Sequence, residues 1–205
     1  MRLTKERLFL MFMLFPFGVS AEEVTVERIN ELAEAAEFIC QDGPAQQISI
    51  LKRQADLGAL EKSEDELKRK ELSVRVSKYD PGELSRAIEL EVVQKKSDGV
   101  GKKLNLIMAL GGLDPVYTDA LLREIYNKAD EIAINSLSSD ISSVYQAEAV
   151  NSNSIDVRGA VIEVLALSGS ESLDDLLASE ALSKSPNAQR AKSILEERSN
   201  RSPKK

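Results

Sequence analysis

The chain has 205 residues, with 27 Lys and Arg against 34 Asp and Glu, no His, no Trp and a single Cys, for a formal charge of −7. Apolar residues at 42% and charged residues at 30% are the composition of a globular chain. The acidic balance argues against a nucleic-acid binder, which needs a basic face. The absence of His removes Ser-His-Asp and Cys-His nucleophile systems and HExxH zinc sites. One Cys rules out an intramolecular disulfide framework and a Cys-rich zinc site.

Residues 1–21 read as an export signal. Arg2, Lys5 and Arg7 give a positive start, Leu8 to Phe15 is an unbroken apolar run, and Pro16 and Gly18 then break any helix. Val19-Ser20-Ala21 places small residues at the positions a signal peptidase reads, so cleavage is expected between Ala21 and Glu22. The apolar stretch of about 12 residues falls short of the ~20 a membrane span needs. No Cys lies at the cleavage point, so no lipid anchor is expected. A bacterial protein exported to the periplasm, or secreted, follows. Beyond the signal, Phe38 and four Tyr are the only aromatics, so the core must be aliphatic and aromatic-lined ligand platforms are hard to build.

The rest of the chain, 22–198, reads as a single all-α domain followed by a basic tail at 199–205. Val26, Ile29, Leu32, Ala36 and Ile39 recur at helical spacing, predicting a helix over about 23–41, and Asp42-Gly43-Pro44 stops it. A second helix is expected over about 45–60. Ser63 with Glu66 forms a capping-box pattern, followed by Glu64/Lys68, Asp65/Arg69 and Glu66/Lys70 as i,i+4 pairs on a solvated face. Asp80-Pro81 and Asp114-Pro115 each open a helix, with Asp as N-cap and Pro at the first helical position. A helix over about 100–111 lies between them. Residues 135–155 form a Ser/Asn-rich insertion around a short helix at about 141–149. Ser185-Pro186 repeats the opening device. Pro81, Pro115 and Pro186 suggest a unit of about 35 residues, a repeat-protein period.

Val100–Leu110 overlays Val157–Leu167 at its apolar positions, and each segment leads through Gly into a helix bearing a Leu-Leu pair, Leu121-Leu122 or Leu176-Leu177. These residues resemble HEAT-type helical repeats, particularly the short subgroup named after phycobilisome-associated proteins. "ALGGLDPVYTDALL" at 109–122 looks like its inter-repeat turn, and "DVRGAVIEVLALSG" at 156–169 like its second helix. The resemblance covers about 80–198 and implies an α-solenoid scaffold that binds partners, with no single chemistry. A non-repetitive helical bundle is the alternative.

Signals for chemistry are weak. Ser49-Ile50-Leu51-Lys52 matches an S-x-x-K string without the companion elements that penicillin-recognising enzymes need. Asp174-Asp175 and Glu196-Glu197 are adjacent helical residues that point about 100° apart. Asn151 to Asp156 is the nearest approach to a calcium loop and lacks its Gly. No cofactor and no metal are expected, and a carboxylate-only enzyme is the residual enzymatic reading. Cys40 lies on the apolar stripe of the first helix, where a buried small hydrophobe is expected; the alternative is a Cys40-linked dimer.

Two functional classes remain. The first is an exported helical-repeat protein acting as a non-enzymatic protein–protein interaction scaffold. The second is a small periplasmic inhibitor or immunity-type protein, acidic because it caps a basic partner enzyme. In both the partner is another protein, with neither nucleic acid nor stable membrane insertion involved. The partner-binding residues expected on the second helices are Lys102, Asn105, Arg158 and Glu163.

Overall fold

The computed structural model describes residues 21–42, 57–97 and 99–201. The fold is all-α: among the described residues there are nine α-helices and no strand. They are α1 (Val26–Asp42), α2 (Leu57–Val76), α3 (Pro81–Glu89), α4 (Gly101–Ala109), α5 (Pro115–Asn127), α6 (Ala129–Ile134), α7 (Gln146–Ser168), α8 (Asp174–Ala181) and α9 (Ala188–Arg201). A π turn, Leu90–Gln94, extends α3, and a 3-10 turn, Leu110–Gly112, extends α4. Among the described residues, no helix is long and apolar enough to cross a membrane.

The two Asp-Pro openers behave as their chemistry requires. The Asp80 carboxylate accepts from the Glu83 amide at 2.9 Å and that of Asp114 from the Val116 amide at 3.0 Å, each with Pro at the start of the helix. Each satisfies one of the amides that a helix start leaves without an intrahelical acceptor. At the far end of α7, Gly169 adopts φ +67°, the left-handed stop that a residue without Cβ takes without strain.

Three boundaries differ from the expected ones. Ser63 and Glu66 lie inside α2, because the chain is already helical from Leu57 through strong helix formers such as Ala59, Leu60 and Glu61. Of the i,i+4 pairs behind them, Glu64 bonds Lys68 at 2.8 Å. Of the short helix expected at 141–149, only 146–149 are helical, as the start of α7, which runs unbroken for 23 residues through the Asn/Ser-rich stretch. The helix opened by Asp114 ends at Asn127, and α6 follows as a separate short turn of helix. The helix expected at 45–60 lies outside the described residues as far as residue 56.

Packing places α1 beside α4, α4 beside α7, and α7 beside α9, while α3 packs on α5 and α5 on α7. Helix α2 crosses back over the 3-10 turn and α7. The core is aliphatic, as the composition requires: Leu84, Ile88, Leu106, Ile107, Leu122, Ile125, Val161 and Leu165 are all fully buried. Tyr79 is the one aromatic among the buried hydrophobic residues described. Gly112 lets α2 approach closely, since a Cβ there would stand 2.6 Å from the Leu72 carbonyl carbon, and a Cβ on Gly111 would stand 3.0 Å from the Leu167 side chain of α7.

Candidate functional site

Helix α1 commits Ile29, Leu32, Ala33, Ala36 and Ile39 to the core, and α2 commits Leu72 and Val76. What α2 leaves on its neighbouring face follows from helical spacing: Leu67, Lys70, Glu71, Val74 and Arg75 recur at three and four residues, and Lys78 follows just beyond the helix end. Across from them α1 presents Glu31, Leu32 and Ala35, and the two helices enclose a cleft of 690 Å³. Its apolar lining comes from Leu32, Ala35, Leu67 and Val74, with Val74 68% exposed.

The end of the cleft is closed by the N-terminal segment. The Glu22 amide donates to the Lys78 carbonyl at 2.8 Å, and its carboxylate bonds Arg28 and lies 3.6 Å from the Lys78 ammonium. That ammonium also sits 5.1 Å from the centre of the Tyr79 ring. Lys70 and Arg75 have no ion-pair partner among the described residues, whereas Lys68 is tied to Glu64. Ala21 is exposed, immediately before this tethered segment.

The residues expected to form one partner-binding face separate into three settings. Lys102 and Asn105, three apart on α4, share a second groove of 510 Å³ with Asn30, Glu34 and Glu37 of α1. The Lys102 ammonium lies 3.1 Å from the Glu91 carboxylate, and the Asn105 amide donates to Glu37 at 3.3 Å. Burial would raise the Glu91 carboxyl, but bonds from Lys95 at 2.7 Å and from Lys102 outweigh it and hold Glu91 below its ordinary range. Next to Lys102, Lys103 is 1% exposed and donates to the Lys95 carbonyl at 2.7 Å. Its burial pushes the ammonium below its usual range.

Arg158 and Glu163 leave α7 about 140° apart, five residues along a helix. The Arg158 guanidinium bonds Asp130 of α6 at 3.1 Å and lies 5.9 Å over the Tyr126 ring. Glu163 bonds Arg190 of α9 at 3.0 Å, and the same guanidinium reaches Asp65 of α2 at 3.1 Å. Burial raises the Asp65 carboxyl, with Arg190 opposing. This cluster fastens α2 to α7 and α9.

A polar seam joins α5 to the α8 region. Arg123 bonds Asp175 at 2.6 and 2.9 Å, the Tyr126 hydroxyl donates to buried Glu180 at 2.6 Å, and Asp119 accepts from Ser170 and Ser172. Burial, reinforced by Glu180, pushes the Tyr126 hydroxyl well above its usual range. Asp174 pairs with Arg198 and Asp175 with Arg123, so the adjacent acids diverge onto different helices. Among the described residues no group of three or more His, Cys, Asp and Glu is disposed to hold a metal. Asn151 to Asp156 lie within α7 rather than in a loop. Ser49 and the Cys40 side chain fall outside the described residues.

Sequence reasoning assigned the run after Ser63 to a solvated face, placed Lys70 there as a partner of Glu66, and did not single out Val74 and Arg75. The signal available was Val74, an apolar residue in a strongly charged helix, three or four positions from Lys70, Lys78 and Leu67's neighbour Glu71. Comparisons with protein-family models, curated proteins and solved structures yield no match.

Proposed function

We propose that this chain is an exported, non-enzymatic interaction protein of HEAT-like helical pairs, and that its protein partner docks in the cleft between α1 and α2. The observation that carries the reading is the cleft itself: a recess with Leu32, Ala35, Leu67 and the exposed Val74 in its lining, beside Lys70 and Arg75, which have no ion-pair partner among the described residues. Recesses that combine apolar lining with unpaired polar groups are where binding free energy is available. The adjacency of α4, α7 and α9 supports the repeat-like pairing, since second helices of stacked units lie side by side. The signal pattern of residues 1–21 supports export.

A second reading has one observation in its favour. Glu27, Glu31 and Glu34 form an exposed acidic row along α1, the face an inhibitor would use to cap a basic enzyme. A photo-cross-linking residue installed at Val74, and separately at Glu34, separates the two in cells that express the full chain. The cleft reading expects a discrete adduct in the exported fraction from position 74. An adduct from position 34 alone would overturn it in favour of the acidic row.

A further inference from the structure

We infer that in the uncleaved chain the α1/α2 cleft is occupied by the chain's own apolar leader, residues 8–20, an inference that rests on the cleft being the partner site and on residues 1–21 being an export signal. The partner site then opens only when the bond between Ala21 and Glu22 is cut. Residues 1–20 lie outside the described residues, but the point where they join the fold is among them. The Glu22 amide donates to the Lys78 carbonyl at 2.8 Å, and Glu22 forms a parallel bridge with Tyr79. Lys78 and Tyr79 both line the cleft. A parallel bridge puts Ala21 on the Lys78 side of that contact, so the chain traced back from Glu22 heads towards α2.

The charge of the cleft suits an uncharged occupant. Lys70 and Arg75 are balanced by Glu31 and Glu71, and Lys78 is met by Glu22. Walls without net charge leave the apolar lining of Leu32, Ala35, Leu67 and Val74 to drive binding, with Val74 68% exposed. Residues 8–21 are the longest stretch of the sequence without a charged side chain, and Leu8 to Phe15 is apolar throughout.

The leader also reaches. The cleft face of α2 from Leu67 to Arg75 measures about 12 Å along the axis. The six residues 16–21 between the apolar run and Glu22 span at most about 20 Å, and Pro16 and Gly18 supply the bend that lays the run along the cleft. A segment tethered this closely is held at a local concentration on the order of millimolar, which a separate protein has to outcompete. Cleavage removes the occupant and leaves the site standing. Ala21 is exposed to a protease, and the Glu22 carboxylate keeps its bonds to Arg28 and Lys78 on the mature side of the cut.

Intramolecular photo-cross-linking on the full chain tests this. Cell-free synthesis without membranes leaves the leader in place, with a photo-reactive residue at position 74 or, in the other groove, at position 34. Monomeric chains are isolated by size exclusion, irradiated and digested, and the joined peptides are read by mass spectrometry. Position 74 is expected to join residues 8–20, with about tenfold more adduct than position 34 gives. Leu10→Asp with Leu14→Asp alters the leader alone and should cut that adduct about tenfold, because it sets charges against the apolar lining. Adducts of position 74 with residues 43–56 instead overturn the inference, as does leader adduct equally abundant from position 34, or none at all. The cross-link of the exported, cleaved chain at position 74 decides the partner reading separately. A partner adduct there without leader adduct in the uncleaved chain removes the leader and keeps the cleft as the partner site. Leader adduct without any partner adduct supports the leader as the occupant and removes the partner reading.

Discussion

Gly112 sits where α2 crosses the end of α4, and its missing side chain is what allows the crossing. A Cβ there would meet Leu72 and Ser73 backbone atoms at 2.6 to 2.8 Å, and backbone gives way less readily than a side-chain tip. Ser73 meanwhile donates its hydroxyl to the Gly112 carbonyl at 3.0 Å, so separation also breaks a bond. Gly112→Ala is expected to cost about 1–3 kcal/mol in chemical denaturation. Gly101→Ala, where nothing lies within 4 Å, should stay within about 0.5 kcal/mol of the parent.

Two ionic clusters respond to pH with opposite signs. Glu91 is held below its ordinary 4.5 by Lys95 and Lys102, against the opposing effect of burial. The unfolded chain takes up that proton first, so this stabilisation is present above 4.5 and is lost as pH falls through the lower folded value. Glu91→Gln should therefore cost about 1 kcal/mol at pH 7, and its melting temperature should converge on the parent's towards pH 3.

Asp65 is the reverse case, because burial raises its carboxyl above the ordinary 3.8. The folded state takes up its proton first, so acidification relieves the cost of burying its charge. Arg190→Gln removes the guanidinium between Asp65 and Glu163 and leaves two acids facing each other. It should cost about 1–2 kcal/mol at pH 7, less than a fully buried pair would because the side chains are 19–42% exposed. That deficit should shrink in melts taken at falling pH, as Asp65 protonates.

Among the helices, what is decided locally was legible in the sequence. Asp80-Pro81 and Asp114-Pro115 cap the helices they were expected to open, since an N-cap needs only an amide two or three residues on. Asp80→Ala and Asp114→Ala should each cost about 1 kcal/mol in chemical denaturation, and the costs should add because the caps serve separate helices. What depends on tertiary partners was not legible. Asp65 was expected to pair with Arg69 four residues away, but it bonds Arg190, 125 residues on, because α2 lies against α9's neighbour rather than in open solvent. The Ser/Asn-rich composition of 135–155 pointed to an insertion around one short helix. The packing of Ser154 and Val157 keeps α7 helical through it, with Ser154 bonding Asp130. Propensity yields to burial there.

Over the whole molecule, helical spacing indicated an all-α fold and composition an aliphatic core, and the described residues have both. The binding surface was less legible. Lys102, Asn105, Arg158 and Glu163 were chosen as polar positions off the core stripe, and each is engaged within the fold by Glu91, Glu37, Asp130 or Arg190. The cleft is lined by residues of both α1 and α2, among them Leu32 and Leu67, a relation between helices that no single stretch of sequence encodes. Its occupancy is the central claim, and chemical-shift mapping tests it most directly. The isotope-labelled protein would be titrated with the partner recovered through the Val74 cross-link. Shifts concentrated on Leu32, Ala35, Leu67 and Val74, with Lys102 and Asn105 unmoved, are the predicted result. Shifts concentrated on Lys102, Asn105 and Glu34, with the cleft signals unmoved, would contradict it.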